Sequence, residues 1–148
     1  MTASGWVAKP QALTWGGAQG APLASTPVTI RDTTVPVAGA SVCKSGSTTG
    51  WTCGTILEGY GDSFYPVGGG STAYQLEGIA TSMCALQGDS GGPALVGTSL
   101  VGITSATGFG LYQSPLPIGT TPAQACADTP PEQRISLLFA MPTTRPAD

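Results

Sequence analysis

Gly88-Asp89-Ser90-Gly91-Gly92-Pro93 is the stretch on which the reading of this chain turns. A hydroxyl stands between an acid and a glycine pair. Cys84 precedes it, and the apolar run Ala94-Leu95-Val96 follows it. Glycines let the backbone turn tightly and leave its N–H groups uncovered. The N–H groups of Gly88 and Ser90 can point at one oxygen next to the Ser90 hydroxyl. A nucleophile beside an oxyanion site is the arrangement that acyl transfer needs. The competing reading is an ordinary glycine-rich β-turn, so the surroundings of the hexamer have to decide.

Composition narrows the fold first. The chain has 148 residues, with 22 glycines and 13 prolines. At this length one domain can bury roughly 70% of the surface of its unfolded chain. Hydrophobic residues make up 41% and the formal net charge is −3, which is not the balance of a disordered chain. Many short strands joined by Gly and Pro turns suit an all-β sandwich or barrel. The five basic residues are scattered and form no patch for nucleic acid. No apolar run is long enough for a transmembrane helix.

Strand signals come in series after an irregular opening. Residues 1–26 have no period, with Trp6 and Trp15 as isolated apolar anchors. Val28-Thr29-Ile30 is a short run, and Val35 to Cys43 is rich in small and β-branched residues. Ser45 to Gly50 is a turn, and Trp51 to Leu57 alternates. Phe64 and Tyr65 are expected in a loop bounded by Gly59-Tyr60-Gly61-Asp62 and Gly68-Gly69-Gly70. Tyr74 to Ala80 is a further strand. Pro93 to Val96 and Ser99 to Thr104 form a hairpin around Gly97-Thr98. Leu111 to Cys126 reads as a long loop, and Arg134 to Ala140 as a strand or short helix ended by Pro142 and Pro146.

The four cysteines fit two disulfides and an exported protein. Cys43 and Cys53 flank the turn at 45–50, so paired strands would bring them together, which leaves Cys84 for Cys126. Sequence alone allows three pairings. Cysteine–metal binding is the rival, but no CxxC or CxH spacing supports it, and no metal or other cofactor is expected. The N-terminus carries neither a basic n-region nor an apolar h-region, so no signal peptide is read there. An exported protein without one is a conflict, resolved if the true start lies upstream.

At this point the chain resembles the bacterial branch of the chymotrypsin-like serine proteases, the alpha-lytic protease and streptogrisin group. Val28-Thr29-Ile30-Arg31 and Val37-Ala38-Gly39-Ala40-Ser41-Val42-Cys43-Lys44-Ser45-Gly46 look like the entry to that family's second barrel. Thr48-Thr49-Gly50-Trp51-Thr52-Cys53-Gly54-Thr55-Ile56 looks like its disulfide hairpin. Leu76-Glu77-Gly78 and Cys84-Ala85-Leu86-Gln87 lead into the nucleophile motif, and Val101-Gly102-Ile103-Thr104-Ser105 resembles the strand along which substrate lies. The likeness spans about 27–107 in family order. Past Gly108 only Cys126 and the closing apolar run match.

The resemblance implies the second, six-stranded antiparallel β-barrel over 27–148, entered through a connection at 1–26. The family's triad takes its histidine and aspartate from a first barrel. This sequence holds no histidine, and Ala3 falls on the aspartate position. The upstream part is therefore expected to be absent. By position, Ser90 matches the nucleophile, and the Gly88 and Ser90 N–H groups match the oxyanion hole. Asp89 matches a buried structural acid. Its partner in bacterial relatives is an arginine; here Lys44 stands there, a point charge instead of a planar fork, so a looser pair is expected. The competing reading leaves Lys44 solvated and Asp89 held by backbone N–H groups.

Ala85, Leu86 and Gln87 match one wall of the primary specificity pocket, and Ser105, Ala106 and Thr107 the other. None is charged. Relatives that take large side chains have glycines after the serine of the second wall, so Ala106 and Thr107 should narrow the pocket toward small or medium apolar side chains. The competing reading has both walls simply facing the core.

Activity is a separate matter. A serine hydroxyl is a poor nucleophile until a base takes its proton. The only lysines are Lys9 and Lys44, and a Ser–Lys dyad is disfavoured because Lys44 already has an ionic role. Three readings follow: part of a secreted serine endopeptidase acting on protein or peptide, a non-catalytic relative that binds a protein partner, or a half completed by a second polypeptide. A lone second barrel should also expose an interdomain face, with Trp6, Trp15 or the 27–42 strand on it, and self-associate.

Overall fold

Six strands close into a ring, and each sends one buried apolar residue to its centre. The computed structural model describes residues 5–16, 26–66, 73–109 and 116–140. Within these, the side chains of 58–66, 73–77, 106–109, 135, 137, 139 and 140 fall outside the description. The ring strands are β4 (Ser41–Lys44), β5 (Thr52–Pro66), β6 (Ala73–Thr81), β7 (Pro93–Val96), β8 (Ser99–Phe109) and β9 (Arg134–Ala140). They neighbour one another in the order β8-β7-β4-β5-β6-β9, and β9 pairs back onto β8 to close the barrel. Every pairing in the ring is antiparallel. Closure removes the open sheet edges that invite aggregation.

The core follows from strand alternation. Val42, Ile56, Ile79, Ala94, Val101 and Leu138 supply one buried residue per strand, and Met83, just past β6, fills the middle. Full burial of a Val, Ile, Leu or Met side chain contributes about 1.5–3 kcal/mol. In β4 the period-two pattern is visible within four residues, with Ser41 out and Val42 in, then Cys43 half-buried and Lys44 in. The last inward position holds a charge, and that charge belongs to the site described below.

Three short strands lie outside the ring. β3 (Asp32–Thr33) adds to β8 in parallel, while β1 (Gln11–Ala12) and β2 (Val28–Thr29) pair antiparallel as a separate ribbon. Residues 1–26 are thus not wholly irregular, and Ala12 in β1 is buried. The Val35–Cys43 run is strand only from Ser41. A turn at 38–39 interrupts it, with Gly39 at φ 90°.

Two larger differences separate this fold from the sequence reading. Phe64 and Tyr65 lie in β5, opposite Gln75 and Tyr74, and not in a loop. Gly59 and Gly61 do not end the strand, because register shifts between Ile56 and Tyr60 absorb the irregularity. The expected glycine loop at 68–70 lies outside the described residues, as do Pro142 and Pro146. Within Leu111–Cys126, residues 111–115 also lie outside, but Pro122–Asp128 forms the helix α1. Thr121 caps it, its hydroxyl accepting from the Gln124 N–H at 3.1 Å, and proline at the first position suits a helix start. Arg134 to Ala140 resolves as strand.

Both disulfides are present. Cys43 and Cys53 face each other across β4 and β5, with Cα atoms 4.0 Å apart. Cys84 bonds Cys126 on α1, closing 42 residues of separation.

Candidate active site

The site grows from one inward-turned acid. Asp89 is 1% exposed. Its Oδ1 accepts from the Thr48 N–H at 2.9 Å and the Thr49 N–H at 3.0 Å. Its Oδ2 accepts from the Leu86 N–H at 2.9 Å and the Thr49 hydroxyl at 2.6 Å. The Asp89 N–H in turn donates to the Leu86 carbonyl at 3.0 Å, which tightens the turn. Drawing Asp89 inward leaves its neighbours outside: Gly88 and Ser90 are both exposed.

Lys44 enters from β4 with no exposure at all. Its Nζ lies 3.8 Å from Asp89 Oδ2, beyond a direct hydrogen bond. It donates instead to the Thr49 hydroxyl at 2.6 Å and to the Gly50 carbonyl at 3.1 Å. Thr49 therefore stands between the two charges, accepting from one and donating to the other. Burial lowers the Lys44 pKa to about 8, with the Asp89 carboxylate acting the other way. Each competing sequence reading of this pair captured a part: Lys44 is not solvated, and Asp89 does hold three backbone N–H groups.

The hairpin turn at 46–50 grips the turn at 87–92 from one side. The Ser47 hydroxyl donates to the Gly88 carbonyl at 2.5 Å, and the Thr48 hydroxyl to the Gln87 carbonyl at 2.8 Å. Gly88 sits at φ 101°, and a Cβ there would collide with Thr48 Oγ1. From the other side β8 holds the turn: the Gly91 N–H donates to the Thr104 carbonyl at 2.8 Å, and the Thr104 N–H to the Gly92 carbonyl at 2.9 Å. Gly92 lies so close to the Ser45 carbonyl that no Cβ fits. Trp15 docks behind, its Nε1 donating to the Gly46 carbonyl at 3.2 Å.

Between these two grips Ser90 presents its hydroxyl to solvent and donates to the Ser105 carbonyl at 3.3 Å. Among the described residues, the N–H groups of Gly88 and Ser90 have no acceptor. The adjoining N–H groups of Asp89, Gly91 and Gly92 all do. Two uncapped donors flanking an exposed hydroxyl can receive an oxygen that gains negative charge.

Of the two expected pocket walls, one precedes this turn and the other lies on β8. Ala85 and Leu86 are buried, Gln87 is exposed and Ser105 is half-buried. The backbones of Ala106 and Thr107 continue β8 opposite Leu137 and Ser136, past a register shift; their side chains lie outside the description. Sequence reasoning gave Ser47, Thr48 and Thr49 no part in the site, taking them as turn and hairpin residues. The available signal was three consecutive hydroxyls just past Lys44, the residue expected to pair with a buried acid.

A family model described as Trypsin matches residues 18–128. Streptogrisin-C of Streptomyces griseus is 47% identical over 79 residues, covering 53% of this chain and 16% of that protein. Serine protease 1 of Rarobacter faecitabidus is 36% identical over 102 residues, covering 69% of this chain and 17% of that protein. The crystal structure of Cellulomonas bogoriensis chymotrypsin superposes with a TM-score of 0.65 at 25% identity, covering 96% of this chain and 60% of that one. The chain thus spans less than two thirds of the length of each. A six-stranded barrel carrying this glycine-rich turn, and a match over most of its length, place the chain in the trypsin family of serine proteases, among the bacterial chymotrypsin-like members.

Proposed function

We propose that this chain is the nucleophile-bearing half of a serine endopeptidase. The observation that carries the reading is the exposed Ser90 hydroxyl flanked by two N–H groups that have no acceptor among the described residues. Ser90 Oγ is the atom that attacks the scissile carbonyl, and the Gly88 and Ser90 N–H groups receive the oxyanion. Asp89, with Thr49 and Lys44 behind it, is structural: it sets the turn and does not take the serine proton. Residues 27–148 make the barrel unit, and 1–26 lead into it.

The proton of Ser90 needs a base, and the 148 residues contain no histidine. The Lys44 ammonium is committed to Thr49 and Gly50 and is closed to solvent. The imidazole comes from protein outside this sequence, and the chain alone is inactive. Loss of triad members leaves about 10³–10⁴-fold over water from the oxyanion hole and binding, and half a cleft has less binding to contribute. The absence of histidine also favours a second reading, a protease-like domain that binds a protein partner without cleaving it. Two disulfides point to an oxidising, extracellular setting.

In this reading Ala85, Leu86 and Gln87 on one side, and Ser105, Ala106 and Thr107 on the other, are the walls of an uncharged pocket that takes small or medium apolar side chains. The test is to join the chain to a histidine-bearing first barrel and profile cleavage. Hydrolysis after small or medium apolar residues, abolished by Ser90→Ala, is expected. Cleavage after Lys or Arg would refute the pocket assignment. An inactive but folded fusion would favour the binding reading.

A further inference from the structure

The Gly88 and Ser90 N–H groups, without acceptors among the described residues, share a feature beyond their exposure. Each belongs to a peptide whose carbonyl is anchored on the opposite side. The Ser90 N–H shares its peptide with the Asp89 carbonyl, which accepts from the Gly92 N–H at 3.2 Å. The Gly88 N–H shares its peptide with the Gln87 carbonyl, which accepts from the Thr48 hydroxyl at 2.8 Å. In a trans peptide the C=O and N–H point in opposite directions, so fixing one aims the other. The first anchor is main chain. The second is a side-chain hydroxyl.

We propose that Thr48 is a positioning residue for the oxyanion site, its hydroxyl holding the Gln87–Gly88 peptide so that the Gly88 N–H turns outward from the 46–50 turn. The inference rests on the assignment of Gly88 as an oxyanion donor. Gly88 is at φ 101°, a conformation open to glycine and rarely to other residues. Rotation of the Gln87–Gly88 peptide by half a turn carries Gly88 to ordinary negative φ and points its N–H back toward the hairpin. Glycine tolerates both orientations, so the turn itself does not choose. The Thr48 hydroxyl bonds only the orientation in which the carbonyl faces it. Ser47 cannot substitute, because it anchors the next peptide, through the Gly88 carbonyl. Donation to the Gln87 carbonyl also polarises the peptide and strengthens its N–H as a donor.

The test is made on this chain by backbone NMR with Thr48→Val and Thr48→Ser. Valine keeps the shape and removes the donor; serine keeps the donor. In Thr48→Val the Gly88 amide resonance shifts or splits, and the NOE from it to the Gln87 α-proton changes strength. The Leu86 and Gly91 amides, held by Asp89 and Thr104, stay in place. In Thr48→Ser the Gly88 signals match those of the unsubstituted chain. Should Thr48→Val fail to fold, Thr48→Ala carries the same expectation. A folded donor-free variant with an unchanged Gly88 resonance and NOE overturns the proposal, as does Thr48→Ser behaving like valine. The readout is a conformation and not a rate, so it stands or falls apart from the activity of any completed enzyme.

Discussion

The Thr49 hydroxyl is the smallest group on which the site depends. It is buried between an ammonium and a carboxylate and bonds both at 2.6 Å. Hydrogen bonds to charged groups contribute about 1.5–3 kcal/mol, so Thr49→Val should lower unfolding stability by about 2–3 kcal/mol in urea titrations. Thr104 is the counter-example. Its buried hydroxyl has no partner among the described residues, and an unsatisfied buried group costs about 1–3 kcal/mol. Thr104→Val should therefore stabilise, by about 1 kcal/mol in the same assay. Lys44 adds a pH signature. Its pKa is near 10.5 in the unfolded chain and about 8 in the fold. Between those values the unfolded chain holds a proton that the folded chain has released. Unfolding then takes up a proton, and the contribution of Lys44 to stability rises with pH across that window. Below it both states are protonated and the fold carries the full cost of burying the ammonium. Unfolding the native chain and Lys44→Met at pH 8 and at pH 10.5 should show the native chain gaining on the variant; a constant difference would contradict the assignment.

At the scale of elements, the helix α1 fixes one end of the disulfide that leads into the turn at 87–92. Its cap is a single hydroxyl, and Thr121→Ala should cost about 1 kcal/mol, seen as faster amide exchange over 123–128 with the barrel strands unaffected. The sequence announced this helix only by Thr121-Pro122, and a chain full of Thr and Pro turns hides that signal. The hairpin at Pro93–Val96 and Ser99–Thr104 was legible because Gly97-Thr98 sits between two strongly apolar runs. The extension of β5 through Phe64 was not legible, since glycines read locally as breaks while pairing with β6 holds the strand together. Lys44 and Asp89 were legible as a pair by position. The hydroxyl between them was not, because nothing local says which face of a turn meets an acid.

For the whole molecule, closure of the ring leaves few loose edges but does not cover every apolar side chain. Trp6 is 75% exposed, and Val7, Val35, Val37 and Leu57 are also exposed; Trp15, expected among them, is instead docked on the 46–50 turn. Exposed apolar surface on this scale should drive self-association. Sedimentation at high concentration should show dimers or larger species, reduced by Trp6→Ser with Val37→Ser; a clean monomer would mean the surface is adapted to water. The central claim is that the nucleophile turn is assembled here while the base that activates Ser90 is not. The rate at which an active-site serine phosphonate modifies the isolated chain tests it most directly. The account predicts a rate no faster than that of Ser90→Ala, and rapid, stoichiometric modification of Ser90 would contradict it.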